Sequence, residues 1–194
     1  MIFVISGPSG SGKTTLLEEL LKDPDLQNRG LVKSRSFTTR PRRSCEQQEK
    51  DYFFISEENF KQKRKSEKII EWTKYLGYYY ATPREFIERQ LKSSRHIILC
   101  LDLKGAKTLK RLYPRNTVTI FIKPPSLGAL RERIAGRCHK TVSQEIRQRL
   151  KVAKRELRAA RGYDYSLLNK NLPQAAKGLK GLILREMSSR RERE

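Results

Sequence analysis

Residues Ile2–Thr15 read IFVISGPSGSGKTT. A short apolar run, Ile2–Ser6, passes directly into Gly7–Thr14, which fits G-x-x-x-x-G-K-[ST]. A helical pattern from Thr14 to Lys22 follows. The setting matters as much as the spelling. The glycines let backbone N–H groups turn inward around a polyphosphate, and the start of the helix adds partial positive charge. Gly7, Pro8, Ser9, Gly10, Ser11, Gly12, Lys13, Thr14 and Thr15 are therefore expected to hold a nucleoside triphosphate. Lys13 would bridge its β- and γ-phosphates, and the Thr14 hydroxyl would join the shell of a Mg²⁺ ion.

Strand-like and helical runs go on alternating outside this stretch. His96–Leu101 precedes a helical pattern over Leu103–Arg111, and Thr117–Ile122 precedes one over Ser126–Ile134. Such alternation predicts a parallel sheet covered by helices. Between Leu31 and Ala81 the texture changes to short aromatic or β-branched runs around one polar helix, Glu57–Lys65, which reads as a β-rich insertion. Thr82-Pro83-Arg84-Glu85 has the form of a capping box with proline at the first helical position, marking the return to the α/β core. Ser143 is a candidate cap for a helix reaching about Arg161. The final SSRRERE reads as frayed.

The chain has 194 residues, enough for one domain with a substantial core. Lys and Arg outnumber Asp and Glu by 43 to 21, a formal net charge of +22, which favours anionic partners. Cys45, Cys100 and Cys138 are odd in number and lack CxxC spacing, so neither a disulfide framework nor a zinc site is indicated. After the start, the longest apolar run is Ile97–Leu101, far too short to span a bilayer. Met1–Ile5 lacks a basic leader and does not read as a signal peptide. A cytoplasmic protein with no membrane partner is expected.

Ser36–Arg43 read SFTTRPRR. Arg40 and Arg43 lie three residues apart beside a proline that stiffens the segment. Two guanidinium forks held in this way grip one phosphate bidentately. Ser36 and Tyr52 could add hydroxyl donors. A patch for nucleic acid would instead be lysine-rich and helical, or would interleave aromatic stacking platforms.

With these motifs in hand, the chain resembles the guanylate kinase family. The phosphate loop is followed by Ser36, Thr38, Thr39, Arg40, Arg43 and Glu46 in the spacing S-x-T-T-R-x-x-R-x-x-E, then by DYFF at Asp51–Phe54. IEW at Ile70–Trp72, Gly77 with Tyr79 and Tyr80, and L-x-L-D-x-x-G over Leu99–Gly105 come next. Arg131–Arg137 is similar to the start of the family's lid, and Tyr163–Asn169 to its last strand.

The resemblance implies a P-loop parallel sheet flanked by helices, with a β-rich nucleoside-monophosphate-binding insertion and a helical lid. The core would comprise residues 1–32, 83–124 and 152–194, the GMP-binding subdomain 33–82 and the lid 125–151. It implies Mg-dependent transfer of the ATP γ-phosphoryl group to GMP. Ser36, Arg40, Arg43, Tyr52 and Tyr80 would hold the GMP phosphate. Glu71 would read guanine N1–H and the 2-amino group, and Thr82 would stand near the base. Asp102 would face the guanine side or a magnesium-bound water. Lys13, Arg40, Arg43, Arg137 and Arg149 would be the catalytic cations, with Arg137 and Asn169 also near ATP. Strand alternation places Tyr79 and Tyr80 on opposite faces, one of them in plain packing.

Four features depart from the family pattern. Cys100 stands where an aspartate is usual. Cys45 replaces a glycine, which would strain a turn needing positive φ. The lid reads GRCHKTVSQE from Gly136, and Lys170 follows Asn169. Other readings are a kinase for another small phosphate such as a ribose bisphosphate, a guanylate-kinase-like binding module without catalysis, and a nucleic-acid binder. The last would use a basic face of Lys104, Lys107, Lys110 and Arg111. It is disfavoured as the main function, and oligomeric state is left open.

Overall fold

The computed structural model describes residues 1–136 and 143–191. Strand β1 (Ile2–Ser6) is buried along its whole length, and both of its faces are covered. Its neighbours are β7 (His96–Cys100) and β8 (Thr117–Lys123), with β2 (Leu31–Lys33) and β9 (Tyr165–Leu168) outside them. The order is β2-β7-β1-β8-β9 and every pairing is parallel.

The period-two alternation of β1 builds two cores at once. Phe3 and Ile5 face one way, toward Leu16, Leu17 and Leu20 of helix α1 (Lys13–Leu21) and Leu26 of α2 (Pro24–Asn28). Leu179 and Ile183 of α8 (Leu172–Arg191) close that side. Ile2 and Val4 face the other way, toward Ile87 of α4 (Arg84–Lys92) and Ala106 and Leu109 of α5 (Leu103–Leu112).

A second sheet has the order β4-β3-β6-β5, from β3 (Phe37–Thr38), β4 (Phe53–Phe54), β5 (Ile69–Tyr75) and β6 (Tyr78–Pro83). It packs on α3 (Glu57–Lys65), whose buried Phe60 stacks on Tyr79 with ring centroids 4.4 Å apart and meets Trp72 edge-on. Tyr79 is thus the packing member of the tyrosine pair, and Tyr80 points the other way. Helices α6 (Leu127–Ala135) and α7 (Ser143–Ala159) pack through Leu130, Ile134, Ile146, Leu150 and Ala153, and a 3-10 turn, Ala160–Gly162, ends α7. No helix among the described residues is long and apolar enough to cross a membrane.

Several local expectations need correction. Thr82 does not cap α4: it is the penultimate residue of β6, its hydroxyl is spent inside the protein, and Pro83 takes the cap position. The C-terminal helix continues through Ser188 and Ser189 to Arg191, because Leu179, Ile183 and Met187 anchor it to the core. Cys45 does not have positive φ, so replacing glycine there strains nothing. Cys100 is a free thiol, whereas Cys45 is disulfide-bonded; spacing along a chain does not report which thiols a fold joins. Arg137, Cys138, His139 and Lys140 lie outside the described residues.

Phe60 is the one fully buried large ring beneath the smaller sheet. Phe60→Ala is expected to cost about 3–5 kcal/mol. Denaturant unfolding checks this, with the loss read as an early transition of the smaller sheet.

Candidate active site

Helix α1 starts at Lys13 behind Gly12, and no side chain caps its first turn. Its leading N–H groups are therefore available to an anion. Gly12 has φ +90°, and a Cβ there would lie 2.3 Å from the Asn169 amide nitrogen, so only glycine fits this corner. Asn169 is itself buried and donates to the Ser11 carbonyl at 2.9 Å. That bond braces the loop from behind. Lys13 Nζ donates to the carbonyls of Gly7 and Pro8 at 2.5 and 2.9 Å. Thr14 and Thr15 are exposed at the loop's mouth.

One continuous cavity of about 400 Å³ joins this loop to the arginine segment. Ser9, Lys13 and Thr14 line one end, and Ser36, Arg40, Arg43, Tyr52 and Tyr80 line the other. Arg40 is held from several sides. Its guanidinium donates to both Glu46 carboxylate oxygens at 2.7 and 2.9 Å and to Tyr80 Oη at 3.2 Å, and it lies 5.7 Å from the ring centres of Tyr52 and Phe54. Arg43 meets the same carboxylate through its backbone N–H at 2.9 Å and its side chain at 3.5 Å. Burial works to raise the Glu46 carboxyl, but the Arg40 and Arg43 hydrogen bonds outweigh it and hold the group below its ordinary range. Burial pushes the Tyr52 phenol well above its ordinary value, so it stays a donor.

Glu71, on β5, faces the same cavity and is 7% exposed. The Thr82 hydroxyl, across the β5–β6 pair, donates to Glu71 Oε1 at 2.5 Å. A Cβ on Gly105 would stand 2.7 Å from Glu71 Oε2, so the glycine lets α5 approach the carboxylate closely. Asp102 caps α5 by accepting from Gly105 N–H at 2.8 Å and also lines the cavity. Burial raises the Glu71 carboxyl to about 7, against the lowering effect of the Thr82 hydrogen bond.

Arg149, on α7, is 8% exposed and reaches the phosphate loop. It donates to Ser9 Oγ at 2.6 Å while Glu145 accepts from it at 2.5 and 2.8 Å. Sequence reasoning missed Glu145 and Glu156. Glu156 lies seven residues after Arg149, two turns along the same face of α7, and that spacing was the available signal. It lines the cavity, its Oε2 is buried without a hydrogen-bond partner, and burial raises it to about 7 despite the nearby Lys13 ammonium. Cys100 also lines the cavity, with a thiol raised by burial against the pull of Lys13 and Lys33.

No cluster of three or more metal-ligating side chains occurs among the described residues. The donors at hand are the Thr14 hydroxyl and the Asp102 carboxylate, with Asp102 Oδ1 already engaged. Such a sparse, hard-oxygen set fits Mg²⁺, which keeps most of its waters and takes further ligands from phosphates.

The Glu71 geometry generates two predictions. A carboxyl raised to about 7 when folded binds more protons than in the unfolded chain, so its contribution makes stability fall as pH rises from about 4.5 through 7. Glu71→Gln is expected to flatten that slope and stabilise the ligand-free protein at pH 8 by up to about 3 kcal/mol, seen in thermal melts across pH. Gly105→Ala, which drives a methyl into Glu71 Oε2, is expected to raise KM for a substrate that enters this cavity at least about tenfold with a smaller change in kcat.

A guanylate kinase family model matches residues 1–186. The chain is 39% identical to the guanylate kinase of Thermotoga maritima over 185 residues, covering 95% of this chain and 86% of that one. It is 40% identical to the guanylate kinase of Bartonella henselae over 190 residues, covering 97% of this chain and 82% of that one. Among solved structures, guanylate kinase from Anaplasma phagocytophilum superposes with a TM-score of 0.79 at 29% identity, covering 96% of this chain and 86% of that chain. On the extent of the family match and identity sustained along nearly its whole length, the chain belongs to the guanylate kinase family.

Proposed function

We propose that the chain transfers the γ-phosphoryl group of ATP to GMP, giving ADP and GDP. The observation that carries this reading is the single cavity in which the phosphate loop, the Arg40–Arg43 clamp and Glu71 all open toward one another. A kinase for a sugar phosphate has no use for a buried carboxylate and hydroxyl pair facing the same cavity as the clamp. A binding module without catalysis has no use for an uncapped helix start behind Lys13.

In this reading the GMP phosphate enters between Arg40 and Arg43, replacing part of their bonding to Glu46. Glu46 stays to aim the two forks, which otherwise have many rotamers. Tyr52, Tyr80 and Ser36 complete the phosphate's hydrogen bonds. Ionised Glu71 accepts from guanine N1–H and the 2-amino group, a donor pair that adenine lacks, while Thr82 fixes the carboxylate's orientation. The N–H groups leading α1 and the Lys13 ammonium take the β- and γ-phosphates, so Lys13 leaves the loop carbonyls that it now meets.

Thr14 and Asp102, the latter through water, are the residues that would hold Mg²⁺, which supplies charge neutralisation between the β- and γ-phosphates. Arg149 already touches Ser9 of the loop, from where its guanidinium reaches the equatorial oxygens of the transferring group. Catalysis is then positioning and charge stabilisation, with no covalent enzyme intermediate. Arg137 joins this set by its place in the motif. Residues 33–82 would act as the acceptor subdomain and 125–151 as the lid on a core of 1–32, 83–124 and 152–194. The cytoplasm is the compartment this chemistry implies.

The test is ADP formation with Mg·ATP and each of GMP, AMP, CMP, UMP and ribose 1,5-bisphosphate offered separately. Turnover confined to the guanine nucleotide is expected. Turnover with the bisphosphate, or with none despite ATP binding, would overturn the reading. Arg40→Ala is expected to lower kcat/KM for GMP about a hundredfold or more, from the loss of two charge-assisted bonds. Its KM for ATP should change by less than about threefold.

A further inference from the structure

Helix α7 has two faces of opposite purpose. Ile146, Leu150 and Ala153 pack against α6, and Arg149 and Glu156 turn into the cavity. The remaining face carries Arg147, Lys151, Lys154, Arg155 and Arg158, all exposed. At 100° per residue these five fall within an arc of about 100°, so they form one stripe. Glu145 and Glu156, the acids of this helix, both point elsewhere: Glu145 is bonded to Arg149 and Glu156 lines the cavity. No ion pair engages any of the five cations among the described residues.

The basic face expected on α5 is different. Lys110 is tied to Asp164 at 2.8 Å and to the Thr117 carbonyl at 2.7 Å, and Lys104 sits 4.6 Å over the Trp72 ring. Half of that face is therefore engaged within the protein, which leaves Lys107 and Arg111 exposed on α5 against five exposed cations on α7.

We propose that the exposed stripe of α7 is a binding surface for the phosphate backbone of a nucleic-acid duplex. Linear charge density argues for this partner. Eleven residue steps from Arg147 to Arg158 span about 16.5 Å, so the five cations stand about 4.1 Å apart on average along the axis. Each strand of a duplex presents one phosphate per about 3.4 Å of axis. A membrane surface fits less well, because an interfacial helix buries an apolar face in lipid and the apolar face of α7 is already spent on α6. Free nucleotides use the cavity, which opens on the opposite side of the helix. The stripe carries no aromatic platform and consists of exposed cations alone, so the proposal is for phosphate-driven binding independent of sequence.

The experiment measures fluorescence anisotropy of a labelled 20-base-pair duplex, as DNA and as RNA, from 50 to 200 mM KCl. The comparison is a K151Q/K154Q/R155Q/R158Q variant. Wild-type protein is expected to bind with a log–log salt slope of about −4.5, at about −0.9 per phosphate neutralised. The variant is expected to bind at least about tenfold more weakly at 100 mM KCl with a slope near −1, while its melting temperature and GMP-dependent ADP formation stay unchanged. Failure of the wild type to bind either duplex at 50 mM KCl would overturn the proposal. So would a variant with unchanged affinity and slope, which would put the binding charge elsewhere. Stripe-dependent uptake by phosphatidylserine vesicles without duplex binding would likewise refute it and assign the surface to lipid.

Discussion

Everything in this molecule hangs on a five-residue strand that water never reaches. Because β1 is buried on both faces, its alternating side chains anchor the cores on either side of the sheet at once. The chain that leaves its carboxyl end is consequently held at a known place, and that chain is the phosphate loop. The rest of the site collects around the same edge. Strand β7 delivers Cys100 and Asp102 there, β9 delivers Asn169 to brace the loop, and α7 reaches over with Arg149. Open parallel sheets place ligands beyond their strand ends for this reason: the helices cover the faces and leave that edge uncovered.

Charge is managed differently at the two ends of the cavity. At the phosphate loop the positive potential comes from backbone N–H groups together with the Lys13 ammonium and the Arg149 guanidinium, which the loop carbonyls and Glu145 hold in place. At the other end it comes from whole guanidinium charges. Arg40 is nearly buried and is stable there because Glu46 accepts from it twice and the aromatic faces of Tyr52 and Phe54 flank it. Glu46 therefore both offsets the charge of the empty clamp and fixes its geometry. Glu71 follows the opposite logic. With only a hydroxyl beside it, its carboxyl is raised to about 7, and a ligand that supplies donors stabilises the ionised form.

Much of this was legible in the sequence, and unevenly so. The phosphate loop could be read outright, since its spelling, the strand before it and the helix after it each report the same backbone path. Arg40, Arg43, Glu71 and Thr82 could be named, but the bonds between them could not, because Thr82 meets Glu71 only once β5 and β6 pair. The same pairing explains why Thr82 was mistaken for a helix cap: its hydroxyl had two eligible partners, and only the fold chooses between them. Gly105 looked like one more motif glycine until its closeness to Glu71 Oε2 gave it a reason. Glu156 was hidden in a long run of charges, where only its two-turn spacing from Arg149 marks it as sharing that residue's face of α7. The stripe on α7 was hidden likewise, since total charge says nothing of which cations already have partners.

The central claim is that one cavity holds donor and acceptor nucleotides together. Its most direct test is calorimetric titration with adenosine and guanosine joined 5′ to 5′ through five phosphates, which occupies both ends of the cavity at once. The account predicts one equivalent bound per chain and competition against both ATP and GMP. It also predicts affinity lost on Arg40→Ala and on Glu71→Gln. Binding of two equivalents, or competition against only one of the two nucleotides, would contradict it.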